Sequence, residues 1–217
     1  MISRIAGFST LLSLLLLQTV YASDKVNHES DGKTLFPYLN APPEIHISAI
    51  DHEKLQKNKS IYKQLETSNG KQLAIVFKVN ATPQKIWSTI KSYAKYPDWI
   101  KNIKEAEIYK QENENIYVRF VLKHWVLGKY QYYMKHNYSG LAQNWATWSL
   151  DEEYASDFKS SIGFWRVYPI DKQKKYSYVV YSADILFRNK KSKFIRSRAI
   201  KSSLKQASTW VREQSEK

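Results

Sequence analysis

The sequence VNATPQKIW, residues 79–87, marks the point where the chain changes from one type of secondary structure to another. Residues 71–80 alternate in the manner typical of a β-strand. Thr82 is suited to the N-cap of a helix, and Pro83 is suited to its first position. Apolar residues then recur at helical spacing as far as Tyr93. The stretch therefore predicts a strand that passes directly into a helix.

A second strand is predicted immediately before this one. Residues 60–67 carry apolar and aromatic side chains, and Ser68-Asn69-Gly70 separates them from residues 71–80. Asn-Gly is the strongest short sequence signal for a β-hairpin, because both residues tolerate the positive φ that a tight turn requires. The two strands are therefore predicted to pair, with a short helix before them at residues 48–58.

After Tyr96 the sequence predicts a second short helix, six strands and one long helix. Gly, Asn, Asp and Ser mark the turns between the strands. The strands are predicted at residues 103–111, 116–125, 129–138, 144–150, 158–168 and 176–187. The last helix, residues 191–214, has apolar side chains at steps of three and four residues and a basic opposite face.

This order of elements predicts an α+β fold with one antiparallel sheet. Eight strands in one sheet curl strongly, so the long C-terminal helix can lie against the concave side. Such an arrangement leaves a space between helix and sheet that side chains fill incompletely.

The order and four short motifs resemble the START-like, or SRPBCC, superfamily. Residues 79–87 resemble its strand-to-helix junction, v-x-A-s-P-e-x-V-W. Residues 93–99, YAKYPDW, resemble D-Y-x-x-Y-P-x-W, although Ser92 stands where an acidic residue is common. Residues 163–167, GFWRV, and 177–181, SYVVY, resemble G-x-W-x-l followed by T-x-V-x-Y.

The resemblance covers residues 54–213 and is greatest for polyketide cyclase/dehydrase and coenzyme Q-binding type proteins. It implies a helix-grip fold, also called START-like or Bet v 1-like, in which the curved sheet wraps around the C-terminal helix. It also implies a hydrophobic cavity gripped by that helix. Relatives bind lipids, quinones, sterols or polyketides, and some of them are enzymes whereas others are carriers.

The strand pattern predicts which side chains line this cavity. Because Lys and Arg are expected to face outward, their neighbours at odd steps along each strand face inward. The predicted lining residues are Phe77, Val118, Phe120, Leu122, Tyr132, Met134, Trp148, Trp165, Val179 and Tyr181, with Ala199 from the C-terminal helix. The alternative for each residue is that it simply fills the core.

The sequence offers little for catalysis. It contains no Cys, no Gly-x-Ser-x-Gly motif and no glycine-rich phosphate loop, and its five His lack metal-ligand spacing. We therefore expect no catalytic residues, no metal and no cofactor. Arg119, His124 and Tyr132 are candidates for cyclase chemistry, but strand alternation places Arg119 and His124 on opposite faces. Asp151-Glu152-Glu153 is expected to form a solvated turn.

Three function classes remain open from the sequence. The first is a non-catalytic binding or transfer protein for a lipid, quinone or similar hydrophobic molecule. The second is a polyketide cyclase or aromatase, or a hydrolase-like enzyme, that uses the same cavity. The third is a scaffold in an envelope complex. The protein is expected to be a monomer.

The N-terminal residues predict export. Residues 1–22 combine Arg4 with an apolar stretch of leucines and a small residue, Ala22, at a cleavage position, as in a secretory signal peptide. The alternative is a retained membrane anchor, for which the apolar stretch is short. We expect cleavage after Ala22, a periplasmic location, a leader or linker at residues 23–53 and a domain at residues 54–217.

The net charge of +14 first suggests a polyanionic partner. Export argues against nucleic acid, and the sequence has no nucleic-acid-binding motif. The residues after Phe187 carry a net +8, and Arg188, Lys190, Lys191 and Lys193 stand where the last helix begins. These four residues are predicted to dock on an anionic membrane surface. The alternative is an ordinary solvated helix face.

Overall fold

The computed structural model describes residues 34–124, 128–170, 175–189 and 192–217, without the side chains of His124 and Lys193. The predicted signal peptide, the first part of the predicted leader, and Lys190 and Lys191 lie outside the described residues. The described helices are α1 Ala49–Gln56, α2 Pro83–Lys91, α3 Tyr96–Trp99 and α4 Lys193–Ser215. The strands are β1 Ile61–Thr67, β2 Gly70–Val79, β3 Ile103–Glu112, β4 Asn115–His124, β5 Gly128–Asn137, β6 Trp145–Leu150, β7 Phe158–Pro169 and β8 Ser177–Phe187.

All eight strands form one antiparallel sheet in the order β1-β2-β8-β7-β6-β5-β4-β3. The N-terminal hairpin joins the sheet through β2, which pairs with β8 so that Phe77 lies opposite Val179. The remaining strands follow one another as a meander. The predicted α+β helix-grip fold is therefore confirmed, and the strand bounds agree with the sequence within two residues.

The junction at residues 79–87 has the predicted local chemistry. The Thr82 side chain accepts a hydrogen bond from the backbone N–H of Lys85, and Pro83 opens α2. This cap satisfies one of the donors that a helix start leaves free. Ile86 and Ile90 of α2 are buried in the main core. The junction thus sets the direction from which α2 approaches the sheet.

The main core lies on one face of the sheet, which we call the helix face because it carries α2 and α4. Phe77, Val118 and Trp165 belong to this face, and Leu204 and Val211 of α4 are fully buried against it. These contacts place the C-terminal half of α4 directly on the sheet.

The opposite face, which we call the outer face, is covered over β1, β2, β7 and β8 by residues 34–56. Leu35 and Leu55 are buried there, and the ring of Tyr38 meets the ring of Phe164 edge-on at 5.5 Å. Arg166 faces outward as predicted, but it is buried and donates a hydrogen bond to the Pro42 carbonyl. Residues 34–53 of the predicted leader therefore pack on the sheet, and the predicted boundary at residue 53 falls inside α1.

Replacing Gly163 by Ala should destabilise the fold. A Cβ on Gly163 would lie 2.0 Å from the Trp148 side chain and 2.3 Å from the Ser182 carbonyl oxygen. Trp148 is itself stacked on Tyr181, so the strands must shift to make room. We expect a loss of about 1–3 kcal/mol in the free energy of unfolding, measured by urea denaturation.

Ser161→Ala is the matched control, because Ser161 lies on the same strand and the same face two residues away. Its substitution removes one oxygen and adds no atom. Equal stabilities of Gly163→Ala and Ser161→Ala would contradict the steric explanation.

Candidate ligand-binding cavity

A cavity of about 550 Å³ lies between α4, from Phe194 to Trp210, and the helix face of the sheet. Its sheet wall is formed mainly by β4, β5, β6, β7 and β8, and the segment after α3 contributes Ile100 and Asn102. Trp210 and Tyr96 close one end, with their ring centroids 5.0 Å apart. Phe194, near the first turn of α4, lines the other end and is 69% exposed. The cavity therefore opens beside the start of α4.

Eight of the eleven residues predicted from strand alternation line this cavity. They are Phe120, Leu122, Tyr132, Met134, Trp148, Trp165, Tyr181 and Ala199.

The other three, Phe77, Val118 and Val179, face the predicted way but do not reach the cavity. Each has no exposed surface and packs in the main core. Phe77 and Val179 pair on β2 and β8, where α4 packs directly on the sheet. Their role is therefore structural.

Aromatic rings form most of the sheet wall. Near the closed end the ring centroid of Tyr181 lies 4.1 Å from that of Trp165 and 5.2 Å from that of Trp148. Near the open end Phe158 lies 5.4 Å from Tyr130 and 5.5 Å from Phe187. Ring pairs at these distances stabilise each other, so the wall is largely pre-formed.

The wall contributed by α4 is more polar than the sheet wall. Arg198, Ser202, Ser203 and Gln206 line the cavity at helical spacing. The hydroxyl groups of Ser203 and Tyr181 lie 3.4 Å apart across the cavity wall. Among the described lining residues Arg198 carries the one permanent charge, and none is Asp or Glu. The cavity thus presents aromatic rings on one side and hydrogen-bonding groups on the other.

His136 is a lining residue that the sequence reasoning missed. It follows Tyr130, Tyr132 and Met134 at steps of two along β5, so strand alternation could have identified it. Burial lowers the pKa of His136 to about 3. Its Nε2 is buried and has no hydrogen-bond partner in the described part of the chain. His136 therefore contributes a neutral imidazole to the cavity at ordinary pH.

The buried tyrosines stay protonated for the same physical reason. Burial raises the pKa of Tyr132 and of Tyr181 above the usual range. The hydroxyl of Tyr93 pairs with that of Tyr138 at 2.5 Å, beside the cavity rather than in it. Neutral hydroxyl groups are suited to orienting a ligand by hydrogen bonds.

The cyclase candidates are not brought together. Tyr132 lines the cavity, whereas Arg119 lies on the outer face and forms ion pairs with Glu105 at 2.8 Å and with Glu107 at 2.9 Å. The side chain of His124 lies outside the described residues.

Asp151 of the predicted solvated turn is buried and accepts a hydrogen bond from Tyr109 at 2.7 Å. That carboxylate group therefore anchors the outer face.

The described residues offer neither a metal site nor a membrane-spanning helix. They contain no group of three or more His, Asp or Glu side chains positioned to hold a metal ion. None of the described helices has the length and apolar character needed to cross a bilayer.

Of the four predicted docking residues, Arg188 has a described side chain. It is exposed at the end of β8 and donates a hydrogen bond to the Ser156 carbonyl.

The sequence of residues 79–208 matches the family described as polyketide cyclase / dehydrase and lipid transport. The chain belongs to this family. The match spans more than half of the chain and includes β8 and most of α4, which form two walls of the cavity. No match is found among curated proteins.

Solved structures share the fold of this family member at low sequence identity. A STAR-related lipid transfer protein from Xanthomonas axonopodis is 12% identical with a TM-score of 0.59, covering 73% of this chain and 93% of that one. The Zhui aromatase/cyclase from Streptomyces sp. R1128 is 12% identical with a TM-score of 0.57, and the match covers 67% of this chain and 93% of that one. Human StAR-related lipid transfer protein 5 is 8% identical with a TM-score of 0.53, and the match covers 71% of this chain and 81% of that one.

Replacing His136 by Phe should flatten the acid dependence of stability. The folded chain keeps His136 neutral down to a pKa of about 3, whereas the unfolded chain protonates it near 6.5. The unfolded state therefore binds more protons between these values, and wild-type stability falls as pH falls through this window. As the pH is lowered below 6.5, the free energy of unfolding of His136→Phe should rise relative to that of wild type. The expected rise is up to about 1.4 kcal/mol for each pH unit.

Urea unfolding at a series of pH values measures this difference. His46→Phe is the control because His46 is exposed. Parallel pH profiles for wild type and His136→Phe would show that His136 is not a buried neutral group.

Proposed function

We propose that this chain is an exported, monomeric, non-catalytic protein that binds a hydrophobic small molecule and transfers it. The observation that carries the proposal is the cavity: about 550 Å³ of space, walled by aromatic rings, a few neutral polar groups and Arg198. Ligand pockets typically hold a few hundred Å³, are mainly apolar and use few polar groups to orient the ligand. The family's description includes lipid transport, which is consistent with this use.

The proposed ligand is a lipid, a quinone or a molecule of similar character. The quinone alternative corresponds to the coenzyme Q-binding branch that the sequence motifs resemble. Stacked rings such as Trp165 and Tyr181 offer flat apolar surfaces to a ring or a chain. Tyr132 and Gln206 offer hydrogen bonds from opposite walls.

A cyclase or aromatase function is the second candidate. One observation favours it: the neutral imidazole of His136 and the hydroxyl of Tyr132 both line the cavity, where they could orient a folded polyketide chain. The carrier is preferred because the described lining includes no carboxylate that could act with them as a general base.

Export to the periplasm is part of the proposal. It is supported by the signal-peptide pattern of residues 1–22. N-terminal sequencing of the protein recovered from periplasmic extract tests it, with Ser23 as the expected first residue.

The purified protein should carry a bound hydrophobic molecule, and filling the cavity should remove it. Ala199 lies on the α4 wall, so Ala199→Trp places a large ring in the cavity. Native mass spectrometry of wild type should show a ligand at near-stoichiometric level, whereas Ala199→Trp should be empty.

Ser197→Trp is the matched control, because Ser197 is exposed on the same helix and does not line the cavity. It should retain the ligand. A wild-type cavity that stays empty after incubation with lipids would contradict the carrier function.

We also propose that the open end of the cavity docks on an anionic membrane. Phe194 is an exposed aromatic residue at this end, and Arg188 is exposed near it at the end of β8. Lys190, Lys191 and Lys193 occupy the same short stretch of sequence. A basic segment with an exposed ring combines attraction to anionic lipid with insertion of an apolar side chain.

Removing the four basic residues should weaken vesicle binding. Each basic residue near an anionic surface contributes about 1 kcal/mol, so a fourfold Lys/Arg→Gln variant should bind phosphatidylglycerol vesicles at least about tenfold more weakly. Co-sedimentation at increasing salt measures this, and wild-type binding should decline as salt rises.

A variant with Lys54, Lys57, Lys71 and Lys85 replaced by Gln is the control for net charge. Lys54 lies on α1, Lys57 directly follows α1, Lys71 lies on β2 and Lys85 on α2. None of them lines the cavity. Binding that is absent at low salt, or indifferent to salt, would overturn the docking proposal.

A further inference from the structure

The electrostatic character of the cavity is set by one side chain, Arg198. It is the one permanently charged residue among the described lining residues, and no carboxylate group lines the wall beside it. Arg198 is exposed, so it stands at the open end rather than deep inside. Its guanidinium lies 5.9 Å from the centre of the Phe194 ring, which also lines the opening.

The guanidinium of Arg198 is not used to hold the fold together. Arg196, two residues earlier, forms an ion pair with Asp184 of β8 at 2.5 Å. Arg198 takes part in no ion pair among the described residues, since the acidic groups near α4 are engaged elsewhere or lie at its far end. Of these two neighbouring arginines, therefore, one is structural and the other remains available to a ligand.

Other polar groups extend from Arg198 into the cavity. Ser202 and Gln206 follow it at steps of four residues, so they lie on the same side of α4. From Arg198 to Trp210 at the closed end, the helix advances about 18 Å at 1.5 Å per residue. The aromatic rings of the sheet wall line the cavity opposite α4. The cavity is thus elongated, cationic at its open end and apolar at its closed end.

We infer that the ligand is an anionic amphiphile with one acidic head group, bound with its head at Arg198 and its chain directed toward Trp210. This inference rests on the proposed carrier function and specifies its ligand class. The head group accepts hydrogen bonds from the Arg198 guanidinium, while the chain lies along the rings of Trp148 and Tyr181. The described lining offers one positively charged group to the head, which matches a head group with one negative charge.

Dodecanoate and dodecanol test the inference, because they share a chain and differ in the charge of the head group. Isothermal titration calorimetry at low salt and neutral pH should show wild type binding dodecanoate about three- to fivefold more tightly than dodecanol, as expected for a solvent-exposed ion pair. Arg198→Gln should bind the two probes with equal affinity. Arg198→Lys should keep part of the preference.

Lys201→Gln is the matched control for charge, because Lys201 is exposed on α4 and does not line the cavity. It should retain the preference of wild type. If both probes bind but wild type shows no preference, or if Arg198→Gln keeps it, the head-group assignment is wrong and the carrier function stands. If neither probe binds to wild type, the carrier function itself fails for chain-like ligands.

Discussion

The cavity exists because the buried side chains of α4 that pack on the sheet lie in its C-terminal half. In its C-terminal half, Leu204, Trp210 and Val211 are buried. Arg212 donates a hydrogen bond to the Lys78 carbonyl at 3.0 Å, and Glu216 accepts one from the Asn80 N–H at 2.8 Å. No described residue before Leu204 in α4 is buried. The helix is therefore anchored where β2 ends, and its other half leaves room above the aromatic strands.

This asymmetry also makes the two ends of the cavity differ in local stability. Segments with few buried apolar contacts have low local stability and open before the rest of the structure. The N-terminal half of α4 is such a segment, and the ion pair between Arg196 and Asp184 is its main described polar tie to β8. The closed end, in contrast, combines Tyr96, Trp165 and Trp210 in one ring cluster. Access at the Phe194 end follows from this difference in packing.

The sequence predicted the elements and the face of each strand, but not the depth of each residue. Strand alternation correctly directed Phe77 and Trp165 to the helix face, yet only contact with α4 decides that Phe77 is core and Trp165 is cavity wall. His136 was missed because polarity alone does not decide which face of a strand a residue occupies. The burial of Arg166 depends on residues 34–47, whose irregular sequence has no periodicity to reveal that they cover the outer face.

The protonation states of the lining residues bear on whether the cavity performs chemistry. A general base acts best when its pKa lies near the working pH. Burial moves the pKa of His136 down to about 3 and that of Tyr181 upward, so near neutral pH the first is too weak a base and the second too weak an acid. These groups can hold and orient a molecule but are poorly suited to proton transfer, which favours a carrier over a cyclase.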